Sequence, residues 1–300
     1  MLNNLAGTRS VGAVAVTTTV LKIGALALVA IVGLALFDGG NVGSVEAKDG
    51  DVARALPAAC ALLLFSFLGM EGAAVATNRV RDPERNVPRA IVGGVAGVAL
   101  LYLAGTLAVQ GTVPQDELTQ SSAPFADAAE SLFDGAWAGD AIAAVAVISA
   151  LGSLNGWNMV NAEMVAGAAR DRLFPAVLER RTRGLPVLAL MINSTLATVL
   201  LVVNATGDAL DLFTTLALLS TFIYVFGYIL SVAAQLLHVL VRGGPVPWRE
   251  AGVALLALGF SIWMAGATGA DAVQAGTVML LLGIPAYVLS RALRERGQAR

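Results

Sequence analysis

One cysteine (Cys60) and one histidine (His238) serve all 300 residues. An internal disulfide is excluded, and no zinc set built from these residues can form. Charge is scarce as well: 13% of residues are charged, 57% are hydrophobic, and the mean hydropathy is +0.76. A soluble domain carries roughly 25% charged residues, so a water-facing globule is excluded. The net charge of −2 offers no cationic surface to nucleic acid. No grouping of nucleophile, base and acid is legible, and no cluster of metal ligands. The expectation is therefore a protein that is not an enzyme and uses no cofactor or metal.

What the chain does have is long apolar runs. Runs of 18 or more apolar residues mark membrane helices. Eight are predicted, over 11–37, 56–77, 90–112, 138–163, 186–204, 209–240, 249–268 and 272–291. The first is too long for a signal peptide and lacks a cleavage site. No soluble domain or low-complexity linker separates the runs. The chain reads as one all-α integral membrane domain over 1–300, with the lipid bilayer as its solvent.

Loop charge sets the expected orientation. Arg9 precedes the first run. Arg79, Arg81, Arg85 and Arg89 follow the second, and Arg170, Arg172, Arg180, Arg181 and Arg183 follow the fourth. Arg242 and Arg249 follow the sixth, and Arg291, Arg294, Arg296 and Arg300 the eighth. Lys48 and Arg54 lie on the opposite side. The alternation supports eight crossings, both termini cytoplasmic, in a plasma (inner) membrane. The outer loop 113–137 holds Asp116, Glu117, Asp127, Glu130 and Asp134 and no base. It reads as a solvated face, with attraction of a cationic substrate as the sharper alternative.

Polar residues inside the runs are the functional candidates. In FSFLGMEGAAVATNRVRDPERNVPRAI (65–91) an apolar helix pattern is interrupted at Gly69, carries Glu71, and ends in an Arg-rich, Pro-punctuated loop. A glycine break and a carboxylate are tolerated at membrane depth where they line a cavity. A desolvated carboxylate holds its proton more tightly and can carry it; the plainer reading of Glu71 is a neutral acid hydrogen-bonded between helices. Lys22 stands about 16 Å of helix rise from the start of its run. It is either a functional cation or a snorkelling one.

In ALGSLNGWNMVNAE (150–163), Gly152, Ser153 and Gly156 allow close helix approach, and Asn155, Asn158 and Asn161 supply donors and acceptors. Trp157 is deep rather than at an aromatic belt. It either covers an organic cation or an aliphatic stem, or is a packed core residue. Glu163 reads as structural, near the cytoplasmic mouth. Ser220, Thr221, Tyr224 and Tyr228 recur along one side of the 209–240 helix, a weak signal, since Ser and Thr in such helices bond back to the backbone.

These residues resemble a family. FSFLGMEGAAVATNRVRDPERNVPRAI is similar to the sixth helix and following loop of amino acid–polyamine–organocation (APC) permeases, with Asp82 where Asn is commoner. SAPFADAA (122–129) and GSLNGWNMVNAEMVAGAARDRLFP (152–175) continue the likeness, which is greatest to bacterial arginine/agmatine antiporters. The resemblance implies a LeuT-type fold of inverted repeats. In it, 1–40 matches the fifth family helix, 56–240 the second repeat (helices six to ten), and 249–300 the eleventh and twelfth. Helices one to four have no counterpart, so the expectation is an N-terminally truncated copy.

By resemblance, Phe65 matches the aromatic gate over the substrate. Ser66, Leu68 and Gly69 match the broken stretch that contacts it. Glu71 matches an acid linked to proton sensing. Trp157 matches the aromatic that stacks on the substrate side chain. Ser220 matches a polar contact and Tyr228 an aromatic further in. Lys22 resembles a lysine of sodium-independent members, standing where relatives hold sodium. The function implied is a secondary active transporter of amino acids or related amines, coupled to protons and homodimeric. The alternative is a non-transporting membrane sensor or assembly subunit derived from a permease.

Overall fold

The computed structural model describes residues 8–43, 52–72, 80–182, 184–203, 209–241 and 247–298. Its helices are α1 (Thr8–Ala35), α2 (Val52–Phe65), α3 (Pro83–Thr112), α4 (Gln115–Leu118), α5 (Pro124–Phe133), α6 (Ala136–Arg170), α7 (Val187–Val203), α8 (Ala209–Val241), α9 (Trp248–Ala267) and α10 (Ala270–Gln298). Among the described residues, six helices are long and apolar enough to cross a bilayer, and α2 and α7 are shorter apolar helices. Each spanning stretch buries only 6% to 22% of its residues inside the protein. Apolar helices that bury so little of themselves face an apolar solvent, which is lipid. The chain is an all-α integral membrane protein.

Two compact units make up the chain: residues 1–44, 70–202 and 293–300 in the first, and 45–69 and 203–292 in the second. In the first unit α1 packs on α3 and on α6. Gly152 lets α1 and α6 close: a Cβ there would stand 2.6 Å from Thr18 Cγ2 and 2.7 Å from Thr18 Cβ. The short helices α4 and α5 occupy the acidic loop. α5 turns Ala128 and Ala129 inward onto Val29, Val109, Val113 and Ala138, with Phe125, Leu132 and Phe133 around them. The acidic loop is thus a solvated face only on its outer side; its inner side closes one end of the unit.

In the second unit α8 packs on α9, and α2 packs on both. Ala61, Val225 and Met264 form its core, with Cys60, Leu64 and Tyr228 against them. Thr221 is fully buried and its hydroxyl donates to Ala217 O at 2.8 Å and Ala61 O at 3.3 Å. It therefore satisfies itself within α8 while touching the α2 backbone.

Several boundaries depart from the sequence expectation: the predicted 138–163 and 272–291 helices run on to Arg170 and Gln298, and two further departures bear on the site. The predicted 56–77 helix stops at Phe65, because the next amides bond three residues back: Ser66 to Leu63 at 3.0 Å, Phe67 to Leu64 at 2.9 Å and Leu68 to Phe65 at 3.2 Å. This winding is tighter than α, and such runs stay short. The predicted 90–112 helix starts earlier, at Pro83. Proline suits the first turn, where its missing N–H has no partner to lose, and Arg85 N and Asn86 N both reach Asp82 O. Residues 73–77 of the predicted second helix, and Lys48, Arg79, Arg183, Arg242 and Arg300 of the orienting bases, lie outside the described residues.

Candidate functional site

The helix break comes first. After the tight turns of 66–68, Gly69 takes φ 112°. A side chain is strongly disfavoured there, so glycine is the residue the turn requires. Phe65 closes α2 at this point and stands edge-on to Phe213 of α8, with ring centroids 5.8 Å apart and planes at 85°, a favoured aromatic geometry. Phe65, Ser66, Leu68 and Gly69 are thus brought into one turn. Ser220 is half-buried, and its neighbour Thr221 is the residue that ties α8 to α2. Tyr228 lies against the Ala61, Val225 and Met264 core.

The remaining candidates belong to the first unit. Glu71 is half-buried at the end of the described turn. Lys22 is exposed on α1 and lines a cavity of about 330 Å³ with Ser149 and Ser153 of α6. Its other walls are apolar, among them Leu26, Val29, Phe125, Ile142 and Val145. Lys22 makes no ion pair with the described residues.

Trp157 lines a second, larger groove of about 720 Å³ that runs between α1, α6 and α7. Amides concentrate here. Asn158 donates to Ser194 Oγ at 2.8 Å, and Asn193 donates to Asn158 Oδ1 at 2.6 Å. Asn158 is buried, and the network joins α6 to α7. Asn155 Nδ2 is buried with no partner. Asn193 and Ser194 do not figure among the candidates read from the sequence. The available signal was a polar pair inside the apolar run VLALMINSTLATVLLVV, the same criterion that singled out Asn155, Asn158 and Asn161.

Two turns before the end of α6, Glu163 is held by Arg181, which also donates to Gly184 O at 2.9 Å. This is the structural role expected of Glu163. The Glu163 hydrogen bond raises the Arg181 pKa, against the opposing effect of burial.

A bundle of apolar helices with a glycine-broken segment, an intramembrane lysine and an amide-lined groove defines a multi-pass membrane protein of the permease class. The chain belongs to the amino acid permease family, which it matches over residues 1–285, and so to the APC superfamily. It is 31% identical over 265 residues to a putrescine transporter of Haemophilus influenzae, covering 86% of this chain and 60% of that protein. It is 31% identical over 240 residues to a putrescine transporter of Escherichia coli K12, covering 78% of this chain and 54% of the relative. To the cadaverine/lysine antiporter of the same strain it is 33% identical over 196 residues, covering 62% and 43%. The matched region spans about half the length of these relatives.

Proposed function

We propose that the protein moves amino acids or related amines across the plasma membrane by alternating access, with both termini in the cytoplasm. The observation that carries this is the break itself: an apolar helix abandoned at Phe65 and passed through Gly69 at φ 112°. An interruption of this kind inside an apolar segment is the form that discontinuous transporter helices take where they meet substrate. The relatives named as transporters of putrescine and exchangers of cadaverine and lysine support the same class.

In this reading Phe65, Ser66, Leu68, Gly69 and Ser220 meet the substrate, and Tyr228 gates its passage. Trp157 stacks on the substrate's side chain. A charge over an aromatic face contributes about 0.5–2 kcal/mol. Glu71 carries the coupling proton, and Lys22 takes the place of a coupling sodium ion. The Gly69 break, Glu71, Lys22 and Trp157 argue against a sensor derived from a permease.

The test is counterflow in proteoliposomes. The purified protein is loaded with unlabelled lysine, arginine, putrescine or cadaverine, and labelled substrate is added outside. The expected result is saturable, sodium-independent accumulation that Trp157→Ala weakens and Trp157→Tyr partly keeps. No accumulation above protein-free liposomes for any of these compounds would remove the transport reading. Unaltered affinity in Trp157→Ala would make that residue core packing.

A further inference from the structure

Residues 171–180 follow α6, whose 35 residues rise about 52 Å. A bilayer with its headgroups is roughly 40–45 Å thick. The end of α6 and the segment after it therefore stand at headgroup level. The 3₁₀ turn Ala176–Glu179 packs back on α6. Three large apolar side chains of the segment remain exposed: Leu173 at 48%, Phe174 at 37% and Val177 at 44%. At that depth such side chains find the boundary between headgroups and acyl chains rather than bulk water.

The arginines around them are of two kinds. Arg181 is held by Glu163, and Arg170 stands 3.9 Å from Glu179. Arg172 and Arg180 are exposed and make no ion pair with the described residues. Asp171 is the one acid of the segment outside those pairs, and these two arginines outnumber it.

The backbone at Arg172 is the independent sign. Leu173 N donates to Ala168 O at 2.9 Å and Arg172 N to Ala169 O at 3.1 Å. This pair of bonds closes a helix through one left-handed residue, for which glycine is the usual choice. Arg172 holds that position at φ 64°. Among the described residues the other non-glycine residues with positive φ are Asp82 and Asp134, and a short polar side chain such as aspartate visits this region more readily. An arginine is strained there, so the conformation does not account for the guanidinium at residue 172.

We propose that residues 171–180 form a docking surface for an anionic phospholipid at the membrane boundary. Arg172 and Arg180 meet the headgroup phosphate, which suits the planar fork of a guanidinium. Leu173, Phe174 and Val177 enter the acyl boundary beside it. Arg170 and Arg181, already engaged by Glu179 and Glu163, hold the segment against α6. The inference rests on α6 being a membrane helix; neither transport nor orientation enters it.

Binding is read by native mass spectrometry of the purified full chain, released from detergent after incubation with phosphatidylglycerol, phosphatidylcholine or glycerol 3-phosphate. Expected is retention of phosphatidylglycerol well above phosphatidylcholine, with glycerol 3-phosphate unable to displace it. Arg172→Gly relieves the left-handed backbone and removes the guanidinium. Its melting temperature should equal or exceed that of the parent, while phosphatidylglycerol retention falls about fivefold, the effect of one arginine at an anionic surface. Adding Arg180→Gln should bring retention down to that of phosphatidylcholine. Leu173→Ser with Val177→Ser should lower retention of both lipids. Arg85→Gln removes an exposed base of α3 and should change nothing.

Equal retention of the two lipids would overturn the proposal. So would full phosphatidylglycerol retention in Arg172→Gly, which would leave that residue a strained helix end and no more. An equal loss in Arg85→Gln would reduce the effect to overall charge, and displacement by glycerol 3-phosphate would make the arginines a site for soluble anions. A dimer mass that Leu173→Ser with Val177→Ser abolishes would give the apolar residues to a second copy of the chain. Each of these outcomes removes the lipid surface and leaves the counterflow result untouched.

Discussion

Arg181 grips Glu163 with both arms of its guanidinium, Nη1 to Oε1 at 3.1 Å and Nη2 to Oε2 at 2.7 Å. The fork ties the last third of α6 to the turn that leads into α7, a separation of 18 residues along the chain. Two-point contact fixes orientation as well as distance. Arg181→Ala should destabilise the detergent-solubilised protein by about 1 kcal/mol, the upper range for a pair that remains partly exposed. Arg181→Lys keeps the charge, loses the fork, and should fall between. The Arg181 pKa is raised by this bond, so the sign is that of a cation gaining a partner. The contribution is present below the arginine's unfolded pKa and is lost only as pH rises through the folded one. The thermal stability difference between parent and Arg181→Ala should therefore be flat from neutral to mildly alkaline pH. A difference that collapses between pH 7 and 9 would contradict it.

The contact between Gly152 and Thr18 is a prediction about volume. A Cβ at 152 would press on Thr18 from 2.6 Å. Gly152→Val should cost roughly 1–3 kcal/mol through overpacking, seen as a lower melting temperature. Thr18→Ala in the same chain should recover part of the loss. Additive effects of the two changes would show that the helices do not meet there.

Asn158 stands between Ser194 and Asn193. Asn158→Leu removes both bonds and leaves two polar groups of α7 to find other partners. Hydrogen bonds between membrane helices are worth about 0.6 kcal/mol on average and up to about 1.7. The expected loss of stability is about 1–2 kcal/mol, with Asn158→Gln milder. Chemical denaturation in mixed micelles reads it. A variant as stable as the parent would make the network incidental to the α6–α7 contact.

Orientation has a direct readout. Position 85 should be cytoplasmic and position 127 outside. Single cysteines there, in a Cys60→Ser background, should react with an impermeant maleimide in intact cells only at 127. Labelling confined to 85 would invert the topology.

Glu71 is the proposed proton carrier. Glu71→Gln keeps the shape and hydrogen bonding of a neutral carboxyl and cannot titrate. Counterflow by Glu71→Gln should lose most of its pH dependence while the protein stays folded. A profile that keeps its shape would move proton coupling to another group.

Several features are short-range properties of the chain, and these were legible from the residues alone. Hydropathy runs predict the crossings because every spanning backbone must satisfy its own hydrogen bonds. Among the described residues each of the eight expected runs holds a helix, the second only as far as Phe65, and six are long enough to span. The break in the second run was visible too, since Gly69 is a local departure from an apolar pattern, although the tight winding that ends α2 already at Phe65 was not. Glu163 read as structural, but nothing nearby in sequence named Arg181 as its partner.

The pairings were decided by the tertiary structure. Arg181 with Glu163, Asn158 with Asn193 and Ser194, and Thr18 with Gly152 each join residues remote in sequence. Hydropathy marks which residues are out of place in lipid, not which neighbour satisfies them. That choice depends on helix rotation and crossing, which arise from packing over whole helices.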